Sequence, residues 1–205
     1  MNSLPVSRDC RRPHRWKRDG HLTRIILRQN THLMWTARRI LKELADPGHR
    51  KRILTAFWKH AEPQARLLAA AHLARAMHFR EETLKKMPAD KKADLLASRI
   101  GAAEFDQFLE AGLLQYHTHH ANEMMAAFLD KWSVPHVNGS IEADDYKAPT
   151  AGQVRAAVAE LESTYDRGDI VLYLASAGLL MADEWREATW PVVDEMSVEI
   201  RDPNL

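Results

Sequence analysis

The sequence predicts an all-α fold, and three observations carry that prediction. Apolar residues recur at three- and four-residue spacing from Leu22 almost to the end of the chain. Helix-starting and helix-stopping residues punctuate the pattern at Asp46-Pro47-Gly48, Pro63, Met87-Pro88 and Thr150-Ala151-Gly152-Gln153. Strand-like alternation is nearly absent. The expected architecture is a compact multi-helix bundle of roughly eight helices, with a short α-solenoid as the alternative.

Residues 1–21 mix Arg, Pro, Asp and Ser with no period, and are expected to form a flexible basic arm or N-terminal extension. Residues 22–200 are expected to form a single helical domain. Its first helix carries Ile26, Met34, Trp35, Ile40, Leu41 and Leu44. Asp46 suits an N-cap with Pro47 at the first helical position, opening a second helix through Ile53, Leu54, Phe57 and Trp58. Pro63 opens a third, through Leu67, Leu68, Leu73 and Met77. Its middle is apolar almost all the way round, which predicts a helix enclosed by several neighbours. Phe79 to Lys86 reads as its extension. A helix with Leu95, Leu96 and Ile100 follows and stops at Gly101. The longest helical reading runs from Phe105 to Trp132, with a bend at Gly112. Residues 133–149 read as a long loop or small hairpin turned by Asn138-Gly139. The capping box of Thr150 and Gln153 opens a helix through Val154, Val158 and Leu161. Arg167-Gly168 separates it from Ile170–Met181, and a short helix from Asp183 to Val192 is broken at Pro191.

The 205 residues are 45% hydrophobic and 28% charged, enough to bury a core without disulfide or metal staples. The single cysteine, Cys10, cannot form an internal disulfide, which fits a reducing, cytoplasmic setting. No apolar run approaches the ~18–20 residues that cross a bilayer, so no membrane partner is expected. The net charge of +1 hides a gradient. Residues 1–54 hold 14 Lys/Arg against 4 Asp/Glu, whereas residues 140–205 hold 5 against 14. Opposed ends of this kind attract each other or a neighbouring subunit; nucleic-acid binding by the basic arm is the weaker reading.

The chemistry concentrates in His117-Thr118-His119-His120-Ala121-Asn122-Glu123. Imidazole and carboxylate are common ligands of zinc and iron. On a continuous helix from Phe105, His119 and Glu123 are neighbours four apart, and His117 and His120 neighbours three apart. His120 and Glu123 then fall on the apolar arc. The metal reading takes His119, His120 and Glu123 as ligands, with His117 as a further candidate and His60, His72 or His78 completing the set from another helix. The packing reading buries His120 against Glu123 and leaves His117 and His119 at the boundary. No second Glu-x-x-His or His-x-x-Glu motif accompanies the cluster, and no His-Glu-x-x-His, Gly-rich phosphate loop, Gly-x-Ser-x-Gly or cysteine pair is present. A helix-turn-helix reading of Lys91 to Leu113 fails because Glu104, Asp106 and Glu110 would face phosphates. Trp185, Trp190 and Tyr173 are assigned to core packing.

With no complete catalytic motif, the leading expectation is a non-enzymatic structural or protein-interaction module, with a protein partner or self-association and no cofactor. The alternative is a metal-dependent helical-bundle enzyme, holding zinc or iron at His119, His120 and Glu123.

Overall fold

Capping chemistry places several of the helix starts. In the computed structural model, which describes residues 34–141 and 146–201, Thr36 accepts from the Arg39 amide and opens α1 (Ala37–Glu43). Asp46 accepts from the His49 amide, with Pro47 next to it, and opens α2 (Pro47–His60). Next come α3 (Pro63–Met77), α4 (Glu81–Lys86), α5 (Ala89–Ala97) and a 3-10 turn at Ala103–Phe105. They lead to α6 (Asp106–His120) and α7 (Asn122–Asp130). Two short strands, β1 (His136–Val137) and β2 (Ser140–Ile141), precede α8 (Ala151–Leu161), α9 (Arg167–Leu180) and α10 (Asp183–Arg201). The fold is all-α, with ten α-helices among the described residues. The chain divides into residues 1–34 and residues 35–205, and the account that follows concerns the second unit. The expected basic arm, Cys10 and the start of the first helix at Leu22 lie outside the described residues.

The core is organised by contacts between elements far apart in sequence. The closest-knit pair is α2 with α6; α2 also packs on α5, α9 on α10, α6 and α1, and α10 on α8. A solenoid, in which each unit touches only its neighbours, does not have this pattern. Gly112 lies where α2 approaches α6: a Cβ there would sit 3.4 Å from the Ile53 carbonyl oxygen and 3.5 Å from Phe57 Cβ. Trp35, Phe57, Phe105, Phe108, Phe128 and Trp185 are fully buried. Each such side chain stabilises the fold by roughly 1.5–3 kcal/mol or more.

Several expectations change. The long helix does not bend at Gly112; it breaks at Ala121, whose backbone (φ −127°, ψ 16°) leaves the helical region. The two halves pack on different partners, α6 on α2 and α9, and α7 on α8 and the hairpin. Phe79–Lys86 does not extend α3, because His78 ends that helix in the left-handed conformation (φ 54°). Nor is α3 enclosed: Leu67 is 57% exposed and Leu68 47%, and α4 is its principal neighbour. Arg167-Gly168 is not a separator but the first turn of α9, capped by Asp166. Pro191 does not stop the last helix. Its missing N–H removes one hydrogen bond, but Ala188, Val192, Val193 and Met196 are buried on either side of it.

The Asn138-Gly139 hairpin forms as the sequence predicts. Both turn residues take positive φ, 50° and 82°, and His136 pairs with Ile141 and Val137 with Ser140. A Cβ on Gly139 would lie 2.6 Å from Met125 Cβ and 2.8 Å from the Asn122 carbonyl oxygen, so only glycine lets the turn seat on α7. His136 fastens it further: Nε2 lies 3.0 Å from Asp130 Oδ1, and Nδ1 accepts from the Gly139 amide at 3.2 Å. Among the described residues, no helix is long and apolar enough to cross a membrane.

Candidate functional site

The helix break at Ala121 redistributes the histidine cluster. His117 is the buried member, 3% exposed, whereas His119, His120 and Glu123 face outward. The expected burial of His120 against Glu123 therefore gives way to burial of His117. His120 is the last residue of α6 and lies beside His60, the last of α2, at the exposed end of that helix pair. His60 from α2 stacks on His119 with ring centroids 3.9 Å apart and meets His120 edge-on at 6.3 Å. Desolvation, neighbouring imidazoles and Lys59 push both His60 and His120 below the usual histidine range. His72 instead lies edge-on to Phe105 and Phe108.

Among the described residues, the histidine and carboxylate atoms that come within 4.8 Å of one another as a group of three belong to His49, Asp166 and Asp169. His119, His120 and Glu123 do not converge in that way. His49 sits between two carboxylates, with Nδ1 2.6 Å from Asp46 Oδ2 and Nε2 2.9 Å from Asp169 Oδ1. Tyr116 donates its hydroxyl to the same Asp169 oxygen at 2.9 Å. Burial, followed by this carboxylate, holds the Tyr116 hydroxyl well above its ordinary range. The backbone and ring of His49 lower Asp46. Asp166 caps α9 through the Gly168 and Asp169 amides. The group is a latch joining the start of α2 to α6 and the start of α9. Beside it, a cavity of about 270 Å³ is bounded by His120, Glu123, Tyr165 and Asp169. Sequence reasoning missed this latch, although Asp46-Pro47-Gly48-His49 and Asp166-x-x-Asp169 each carry a local capping signal.

The other end of the α6–α9 contact is different. There a cavity of about 460 Å³ lies between α6, α7, the hairpin and α9. Leu114, Met125, Ile141, Ala177, Leu180 and Met181 supply its apolar wall, and Gly139 brings the hairpin against it. Among the described residues, no Asp, Glu, Lys or Arg lines it.

The polar groups around this cavity fall into two kinds. His117 and Ser176 are committed to the protein. The Ser176 hydroxyl donates to the Leu172 carbonyl at 2.7 Å, so it accepts from His117 Nε2 at 3.0 Å. That network fixes the Nε2–H tautomer. His117 Nδ1 is left without a partner, and burial pushes the ring down to about 4. The pair resembles a serine nucleophile and its base only in distance. Its hydroxyl proton points to the backbone, and among the described residues no side chain bonds the other ring nitrogen to orient the imidazole. Thr118 is similarly committed, donating to the Leu114 carbonyl at 2.9 Å. Tyr173 is the other kind. Its ring packs on His117 and Phe128 at 5.7 and 5.2 Å and is 95% buried by its 5% exposure, yet its hydroxyl has no hydrogen-bond partner among the described residues. Burial, and then Tyr146, which also lines the cavity, push that hydroxyl up and keep it protonated.

No protein-family model, curated protein or solved structure matches this chain.

Proposed function

We propose that the protein is a non-enzymatic binding protein that takes a small apolar molecule into the cavity between α6, α7, the hairpin and α9. One observation carries this reading: a cavity of about 460 Å³ whose described wall is uncharged and largely apolar. Its size falls in the range of about 300–1,000 Å³ typical of small-molecule sites, which combine apolar walls with a few polar groups. The absence of an orienting partner for His117 weighs against acyl-transfer chemistry at Ser176. Titration with N-phenyl-1-naphthylamine, an uncharged fluorescent probe, tests the reading. Saturable one-site binding is expected, at a dissociation constant of about 1 μM to 1 mM. Ala177→Leu, which fills the cavity from α9, and Leu114→Trp, which blocks its rim, are each expected to abolish it. Absence of saturable binding, or binding unchanged in both folded variants, would overturn the reading.

A second reading keeps the metal alternative but moves it to other residues. A divalent zinc or iron ion would be held by His49, Asp166 and Asp169, replacing the hydrogen bond between His49 and Asp169. Metal content of protein prepared without chelators tests this, with one ion per chain, lost in His49→Ala, as the expected result. An interaction role remains compatible with either reading, since Leu67 and Leu68 of α3 are exposed. Light scattering of the wild type and of Leu67→Lys tests self-association through that face.

A further inference from the structure

The cavity's donors and acceptors carry the argument one step further, on the basis of the binding reading above. A charged ligand would have to leave its hydration shell for a wall whose described residues offer no compensating charge, and that transfer is costly. His117 is the wall's one ionisable nitrogen base, and it is neutral above about pH 4. A purely hydrocarbon ligand seated against Tyr173 would shut its hydroxyl off from water without offering a partner, which is also unfavourable. Ser176 and Thr118 have already donated their protons to Leu172 and Leu114, so neither can serve as donor to the ligand. That leaves the hydroxyls of Ser140, Tyr146 and Tyr173 as donors among the described lining, and of these the Tyr173 phenol belongs to the most buried residue, packed on His117 and Phe128.

We infer that the ligand of this cavity is uncharged and carries a carbonyl-type hydrogen-bond acceptor, to which the Tyr173 hydroxyl donates. The remainder of the molecule is apolar and packs against Leu114, Ile141, Ala177 and the thioethers of Met125 and Met181. Those flexible, polarisable side chains adapt to a planar or branched skeleton. Tyr173 is a specificity-determining residue in this account: its ring builds the wall and its hydroxyl selects among ligands of similar shape.

Three probes of one skeleton test the inference by equilibrium dialysis against the full chain: 2-acetylnaphthalene, naphthalene and 2-naphthoate. The ketone should bind about 3- to 10-fold more tightly than the hydrocarbon, the range of one neutral hydrogen bond. At pH 7 the carboxylate should bind more weakly than either. Tyr173→Phe keeps the ring, so its packing on His117 and Phe128 survives, and a thermal melt verifies the fold. In that variant the ketone should bind more weakly than to the wild type and the hydrocarbon at least as tightly, so that the difference between them disappears. Equal or tighter binding of 2-naphthoate, or ketone affinity indifferent to Tyr173→Phe, would overturn the inference while leaving the cavity reading intact. If none of the three probes binds and Ala177→Leu also leaves N-phenyl-1-naphthylamine fluorescence unaffected, the binding reading itself falls, and the inference with it.

Discussion

The two ends of the α6–α9 contact solve the same problem in opposite ways. At one end His49, Asp46, Tyr116 and Asp169 are charged or polar, and they bond to one another at 2.6–2.9 Å. At the other end no described lining residue is charged, and the Tyr173 hydroxyl has no hydrogen-bond partner among the described residues. The difference teaches where binding capacity lies. A saturated polar cluster stabilises the fold but has little left to offer a ligand unless it gives up an existing bond. An apolar hollow with an uncommitted donor gains from being filled.

The largest effect should come from closing the packing behind the cavity. Gly178 lies on α9 between cavity residues Ala177 and Leu180, and a Cβ there would fall 2.3 Å from Trp190 Nε1 and 2.6 Å from Thr189 Oγ1. Gly178→Ala forces α9 and α10 apart and should cost at least about 3 kcal/mol in urea unfolding, with loss of probe binding. A neutral outcome would mean that the contact between α9 and α10 does not hold the cavity's wall.

His117 makes the two ends differ in pH response. Its folded value of about 4 lies below the ordinary 6.5, so between those limits the unfolded chain binds the proton and the folded chain does not. Stability contributed in this way is present above pH 6.5, falls as pH is lowered toward 4, and totals roughly 3 kcal/mol. Unfolding of wild type and His117→Gln across that window isolates the term, because the other titrating groups are common to both. Parallel curves would contradict the buried, neutral assignment.

At the latch, Asp169→Asn weakens hydrogen bonds from Tyr116 and His49 to a charged acceptor, and should cost about 2 kcal/mol. Probe affinity should not change. If it falls as well, the two ends are coupled and the contrast between them is blurred. The smallest effect is ligand stabilisation. At ten times its dissociation constant, 2-acetylnaphthalene should add about 1.4 kcal/mol to the wild type and to His49→Ala, and nothing to Ala177→Leu.

How far these ends could be read in the sequence depends on how local each signal is. Asp46-Pro47, the Thr150–Gln153 capping box and Asn138-Gly139 act within four residues, and each forms as read. The helix break at Ala121 has no such marker, since alanine favours helix. It accompanies the separate partners of α6 and α7; His117 is buried by its contact with Ser176 of α9, and His120 is exposed beside His60 at the end of α2. The latch joins residues 120 positions apart, and the cavity joins α6 to a hairpin and to α9. Neither assembly is visible to a pattern read along one helix. The apolar circumference of α3 misled for a related reason: Ala69, Ala70, Leu73 and Ala74 are buried, but Leu67 and Leu68 have no neighbour to cover them completely.

The methionines offer the most direct test of the central claim that the uncharged hollow, and not the polar latch, receives the ligand. Met125 and Met181 line the cavity, whereas Met77 and Met87 lie on or beside α3 and α4, away from its wall. With ¹³C-methyl methionine labelling, 2-acetylnaphthalene should shift the Met125 and Met181 methyl signals saturably and leave Met77 and Met87 in place. Unmoved Met125 and Met181 signals, or shifts confined to Met77 and Met87, would contradict the account.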